Sequence, residues 1–499
     1  LASLALSSFR DEEAVCCKVA KLLTALAKNG RAAHDLMELE AWWSMMFANL
    51  KFEEGGDFLE PETRRSIVSA GCIACFNAKE RGPELEEALC QILLPIKKHF
   101  DTLLDLGQES LHERCEDEHI QYVTITVLQF LRGVSRSRPN SSALSNSLYD
   151  FLFPFLSSLK DLYLVFARIS SVVNVLLLVF SDVVAYQYLQ LSKDRLIPFF
   201  ETLMGLLESF SEVSSNLKRD ASLSESEQQD LDSTLVADLV ILFRMLSNLF
   251  SREFLDFSSG ECEVLVHGEE GEVSVAQVSI YGLRVLLPLL SSRVDLLEYP
   301  DVSKEFFNFL SFLCSSFPEE VCTLDPDLFH QIVLALEFAL TQLHHGEISR
   351  LAMRSLSSIF FHNLQDTRIN PNGGLTNQLQ ADPSLLVGFQ RKLINLLVFE
   401  DTNPDLLDEA ADALLSLIQT GEEQFRELAK ELLGYALHDS YVEPLTQAFD
   451  RLLVLETSRL SGRGVRELPN SVINNEIKHA FRANLTQFVS EVRCYLRMK

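Results

Sequence analysis

The first place in this chain where chemistry could reside is Cys72-Ile73-Ala74-Cys75, which has the spacing of a redox dithiol or of half a zinc knuckle. No second cysteine pair completes four ligands, and the motif sits within an apolar helical run, so it reads as core packing. His112, Cys115 and His119 fall at i, i+3 and i+7, which would place three metal-ligating side chains on one helix face. Glu113, Glu116, Asp117 and Glu118 surround them, and that composition reads as a solvated turn. His344-His345 precedes Gly346 at an expected helix end, where positive charge suits the negative pole of the helix dipole. Gly373-Gly374, after Asn370-Pro371-Asn372, is a turn signal. Asn484-Leu485-Thr486 matches a glycosylation sequon. The sequence holds no phosphate-cradling Gly-rich loop, no GxSxG elbow and no HExxH. Its carboxylates are abundant, but no pair has the apolar frame that general acid–base work requires. The expectation is a protein that is not an enzyme and uses no metal or cofactor.

The elements that carry these residues are helices. From Pro83 the apolar positions run Leu85, Leu89, Ile92, Leu93, Ile96, Phe100 and Leu103, the three-four spacing of one helical face. From Leu235 the stripe Leu235, Leu239, Leu242, Leu246 and Leu249 is widened by Val236, Val240, Phe243 and Phe250. A stripe that broad suits a helix sandwiched between neighbours. The pattern predicts roughly eighteen helices, most of them about 14–25 residues long, and no alternating strand. Leu162 to Phe180 with Val183 to Tyr188 resembles a membrane span in composition, but Arg168, Asn174 and several serines would be costly at a bilayer centre. It is expected to be buried helix.

Composition agrees. The 499 residues are 47% hydrophobic, with only 20 glycines and 15 prolines, which supports a large helical core and disfavours a turn-rich β protein. Lys plus Arg is 43 against 71 for Asp plus Glu, a net charge of -28. Such a surface repels nucleic-acid backbones and anionic membranes, and its complementary partners are basic proteins. Ten cysteines without regular spacing read as small buried hydrophobes in a reducing compartment. The chain starts at Leu1 and is expected to be part of a longer protein, so the lack of a visible targeting signal carries no weight.

An internal repeat is visible. A proline flanked by large apolar residues recurs inside helical runs at Pro95, Pro154, Pro198 and Pro288. Pro154 to Pro198 is 44 residues and Pro198 to Pro288 is 90, about twice that, which fits the two-helix HEAT or armadillo period. The interval from Pro95 to Pro154 is 59 and contains the polar insert Arg132–Ser147. Further polar interruptions are Arg219–Asp232, expected to be mobile, Ser258–Glu272, Gln365–Asp382 and Arg459–Pro469. The helical pattern resumes after each. The fold class is therefore all-α, a HEAT-repeat α-solenoid, with residues 1–499 as one continuous array.

One region narrows the reading. Leu246–Phe257 (LSNLFSREFLDF), Val273–Ser291 (VSVAQVSIYGLRVLLPLLS), Phe317-Pro318-Glu319-Glu320 and Leu324–Phe329 (LDPDLF) occur in order, before a helix that runs to Thr341. These blocks resemble the C-terminal half of the exportin-4 family, nuclear export receptors of the importin-β (karyopherin) superfamily. The resemblance is sharpest over 235–364, looser over the middle repeats 1–234 and faint over the C-terminal repeats 365–499, except the final helix Phe481–Leu496. It implies a monomeric HEAT-repeat receptor that wraps Ran-GTP together with protein cargo and shuttles between nucleus and cytoplasm. It also implies contact with FG-repeat nucleoporins, and the hypusine-bearing translation initiation factor 5A as cargo. The N-terminal repeats that carry the principal Ran contact in that superfamily are absent from the chain. Glu253, Asp256, Glu319 and Glu320 lie in the matched blocks near expected helix ends and are the candidate cargo or Ran contacts. The rival readings are a cytoplasmic HEAT scaffold without a GTPase switch, and an exportin-7-like receptor with other cargo.

Overall fold

A computed structural model describes residues 2–52, 59–78, 83–138, 142–188, 191–219, 225–250, 274–293, 299–342, 346–366, 373–400, 404–434, 439–453 and 470–496. Among the described residues there are 23 α-helices and no strand. The chain divides into two compact units, Leu1–Val302 and Ser303–Lys499.

The first unit begins with α1 (Ala2–Ser8), α2 (Glu13–Lys28), α3 (Gly30–Met37), α4 (Glu40–Leu50) and α5 (Pro61–Asn77). It continues with α6 (Pro83–Leu104), α7 (Gln108–Glu113), α8 (Glu118–Ser135) and α9 (Ser142–Phe166). It closes with α10 (Ser170–Tyr186), α11 (Lys193–Arg219), α12 (Glu225–Leu249) and α13 (Val275–Arg293). The second unit holds α14 (Pro300–Ser316), α15 (Pro318–Cys322), α16 (Pro326–Thr341), α17 (Gly346–Asp366) and α18 (Leu375–Ala381). It ends with α19 (Ser384–Phe399), α20 (Leu407–Thr420), α21 (Glu422–Leu433), α22 (Asp439–Leu453) and α23 (Asn470–Leu496). The five helices beyond the expected eighteen are α1, α3, α7, α15 and α18, none longer than 8 residues. A window of about 11–18 residues averages such elements away.

Each unit is built from two rows of helices. In the first, α2, α5, α8, α10 and α12 stack successively on one another. The second row packs α4 on α6, α9 on α11 and α11 on α13. Phe100 of α6 meets Phe155 of α9 edge to face at 4.8 Å. In the second unit α17, α20 and α23 form one row, backed by α16, α19, α21 and α22. The all-α reading holds, and the packed neighbouring pairs are HEAT-like.

The proline repeat has a structural meaning. Pro95, Pro154, Pro198 and Pro288 lie inside α6, α9, α11 and α13, all members of the second row. Proline removes one backbone donor and bends the axis, so the period in sequence marks one layer of the stack. The other row is the more buried. Ten of the 17 residues of α10 are buried, which explains the membrane-like composition there. The apolar run is in fact two helices, because α9 ends at Phe166 and α10 begins at Ser170. No described helix is long and apolar enough to cross a membrane.

Four polar side chains inside this row pair with one another. Arg65 Nη1 donates to Gln129 Oε1 at 3.0 Å, and the same oxygen accepts from Arg132 Nη1 at 3.2 Å. Arg132 Nε then meets Asp182 Oδ2 at 2.8 Å, and Arg136 Nε approaches that oxygen at 2.9 Å. One chain of ions thus ties α5, α8 and α10. It also corrects the reading of Arg132–Ser147 as a polar insert, since Arg132 and Ser135 are buried in α8. Arg219–Asp232 differs likewise. Its second half is the start of α12. Between α5 and α8 the approach is close: a Cβ on Gly133 would lie 2.6 Å from the Arg65 carbonyl oxygen. Only glycine permits that contact.

The buried and exposed ion pairs should respond differently to the same substitution. Asp182→Asn leaves two guanidinium groups facing a neutral amide in the interior, and is expected to lower unfolding free energy by about 3–5 kcal/mol. Asp150→Asn breaks the bidentate pair with Arg195, where the aspartate side chain is 55% exposed, and should cost less than about 1 kcal/mol. Chemical denaturation of the two variants checks the contrast; equal losses would show that Asp182 is not the keystone described.

Candidate protein-binding site

The two sulfur atoms of the CxxC motif are packed. Cys72 and Cys75 lie on α5 with 0% and 3% exposure. Burial pushes the Cys72 thiol up to about 12 and the Cys75 thiol higher still, so neither offers the thiolate that redox or zinc chemistry needs. Cys75 Sγ rests 4.0 Å from Met37 Sδ. His112, Cys115 and His119 do not share a helix face. His112 lies in the last turn of α7, Cys115 sits in the intervening turn, and His119 belongs to the first turn of α8. Among the described residues no group of three or more His, Cys, Asp or Glu could hold a metal ion. His344 and His345 lie outside the described residues. Gly374 adopts a φ of 51° and caps the N-terminus of α18, as the turn signal implied. The sequon lies within α23, where Thr486 Oγ1 donates to the Arg482 carbonyl one turn earlier.

Of the four acidic candidates, Glu319 and Glu320 occupy the first turn of α15, where negative charge suits the helix N-terminus. Glu319 is exposed and Glu320 half-buried. Glu253 and Asp256 lie outside the described residues.

Two grooves stand out that the acidic candidates do not line. The first runs between α4 and α6 in the proline-bearing row and encloses 760 Å³. Phe47, Phe52, Leu94 and Pro95 supply its apolar wall, and Lys51 and Lys98 stand among its polar lining. Leu94 is 67% exposed, which is unusual for a leucine beside an otherwise buried stripe. Its signal in the sequence is the residue just before the internal proline, off the three-four register of Leu89, Ile92, Leu93 and Ile96.

The second groove lies in the other unit, along the row α17–α20–α23, and is charged. Arg482 grips Asp412 through two contacts of 2.9 Å and reaches Asp408 at 3.5 Å. Lys478 approaches Asp412 at 3.6 Å and lies 5.3 Å over the Phe361 ring. Hydrogen bonding to Asp412 holds the Arg482 guanidinium above its ordinary value. Asp408 keeps 68% of its side chain exposed beside this pair, so an acidic edge remains on offer to solvent. No sequence motif announces the groove, because its residues come from positions up to 128 apart, Arg354 to Arg482. The two grooves present surfaces, one apolar and one ionic, of the kind that bind other proteins.

The comparisons with known proteins agree with that character. The family model described as Exportin-4 matches residues 2–499. Exportin-4 of Dictyostelium discoideum is 23% identical over 470 residues, covering 92% of this chain and 36% of that protein. The chain therefore spans about a third of the length of this curated relative. A solved engineered protein covers 98% of this chain and 98% of its own at 13% identity, with a TM-score of 0.35 that carries no argument. With nearly every residue inside the family match and a stack of paired helices beneath it, the chain belongs to the exportin-4 family.

Proposed function

We propose that the longer protein to which this chain contributes is a nuclear export receptor that binds protein cargo cooperatively with Ran-GTP. The observation that carries the reading is the family match over residues 2–499. The HEAT-like packing supports it, since each repeat touches only its neighbours and small rotations between repeats add along an array. Two ligands held by one array that favour the same wound state bind cooperatively. We read residues 1–499 as one continuous run of repeats, and the receptor as a monomer that moves between nucleus and cytoplasm.

The cargo we assign is the hypusine-bearing translation initiation factor 5A. Its cationic side chain is opposite in sign to a chain of net charge -28. Glu253, Asp256, Glu319 and Glu320 are the proposed contacts for cargo or Ran. FG-repeat nucleoporins are the remaining proposed partners, and the groove beside Leu94 has the apolar chemistry for phenylalanine side chains. No nucleic acid, membrane or catalytic step enters the reading.

The full-length parent protein should be titrated with the hypusinated factor, with Ran-GTP present and then absent. A gain of about tenfold or more in affinity with Ran-GTP, equivalent to about 1.4 kcal/mol of coupling, is expected. Ran-dependent binding of other cargo alone would replace the cargo and keep the receptor. Indifference to Ran would leave a HEAT scaffold. In the same assay, reversing all four acidic candidates to lysine is expected to weaken cargo or Ran binding by about tenfold or more; unchanged affinities for both would remove these residues from the contact surface.

A further inference from the structure

Asp238 is a buried carboxyl at a joint of the stack. It sits on α12, is 4% exposed, and its Oδ1 has no hydrogen-bond partner. The Asn174 side chain of α10 faces the carboxyl from the neighbouring helix and offsets part of its burial. It lines a cleft of 310 Å³ where α9, α10, α11 and α12 converge. An unpaired polar atom in that setting costs free energy in the closed state, so the closed joint favours a neutral carboxylic acid.

The groups facing Asp238 come from each packed element. Tyr163 on α9 is held neutral by burial, with Ser214 of α11 beside it. Arg168, exposed in the turn between α9 and α10, lines the mouth of the same cleft. Asp230 on α12 stands there too, whereas the described lining residues of α10 and α11 are neutral, among them Ser170 and Phe210. Among the described residues the cation lining the cleft, Arg168, is at its solvent edge. It is not beside the buried oxygen.

We propose that the α10–α12 joint is a proton-linked latch: neutral Asp238 lets the helices close, and its ionisation opens the cleft, with Arg168 as the counterion. Burial raises the Asp238 carboxyl to about 7 from an ordinary value of 3.8, which sets the window. A carboxyl whose closed-state value lies above its open-state value stabilises the closed joint at low pH. That stabilisation is lost as pH rises from the ordinary carboxylate range to about 7, and nothing further is lost above it. The joint is thus poised to change its opening equilibrium just below neutrality, independently of any cargo.

Hydrogen exchange of α10 and α12 amides in the whole chain, corrected for the intrinsic rate, measures the opening constant from pH 5 to 8.5. The expected profile rises by up to about tenfold per pH unit below 7 and is level above it. Asp238→Asn, which keeps the shape and removes the charge, should flatten the profile at these helices. Arg168→Gln should lower the plateau severalfold by removing the counterion of the open form. Amides of α17 and α20, remote in sequence from the cleft, serve as the control. A flat profile in the unmodified chain overturns the latch, as does an unchanged slope in Asp238→Asn; an unchanged plateau in Arg168→Gln overturns the role of Arg168.

Discussion

Every α-helix ends with carbonyl oxygens that have no partner within the helix, and packing helices into rows within each unit buries many of those ends. This chain answers the constraint in one recurrent way: a long polar side chain from a neighbouring helix donates two bonds into the exposed carbonyls. Gln187 reaches the Ser135 and Ser137 carbonyls at the end of α8. Gln378 does so for Cys322 and Leu324 after α15, at 3.3 and 2.8 Å. Gln390 serves Leu417 and Gly421 at the end of α20, at 3.0 and 3.1 Å. Arg493 holds the Leu397 and Glu400 carbonyls after α19, both at 2.9 Å. Arg64 is the extreme case, fully buried between the Phe52 and Phe130 rings and bonded to the Asn49 and Lys51 carbonyls. An uncapped buried carbonyl costs about 1–3 kcal/mol, so these donors bind one helix to another as firmly as apolar contact does.

The same logic shapes what each row can do. Where α5, α8 and α10 bury ions, a chain of guanidinium, amide and carboxylate groups closes on itself, and the row is tied across three helices. Where α10 meets α12, the buried Asp238 has an oxygen left over and the joint is weaker by that amount. A tied stretch and a joint with an unpaired oxygen thus lie side by side in one row. A solenoid bends at the joints that cost least to open, so the placement of buried polar groups sets where curvature changes. The proline-bearing row contributes differently. Its helices bend, and beside Pro95 that row presents Leu94 and an apolar groove to solvent.

For a member of the exportin-4 family, these features separate the frame from the surfaces. The frame is paired helices with capped ends. Its described surfaces are an apolar groove in one unit and an ionic groove in the other, where Asp412 and Asp408 hold Arg482 while Asp408 stays open to solvent. Mixed pairs of this kind favour orientation and on-rate over raw affinity.

The sequence by itself determined the helices, their two-row period and the family. Apolar spacing is a local property, so the stripes from Leu89 to Leu103 and from Leu235 to Leu249 are buried as that spacing requires. The internal prolines are local too, and they mark a single row. The packing role of Cys72 and Cys75 followed from their apolar surroundings. Tertiary structure decided everything that depends on residues distant in sequence. Arg132 looked like the start of a polar insert because its partner, Asp182, is 50 residues away. The charged groove draws Arg354, Asp412 and Arg482 from three helices, and no pattern along the chain connects them. Asp238 falls on the apolar face three residues after Leu235 and four before Leu242, but only the convergence of four helices shows what surrounds it. Periodicity reports which face of a helix is buried, whereas the identity of the neighbour across that face is settled by packing alone.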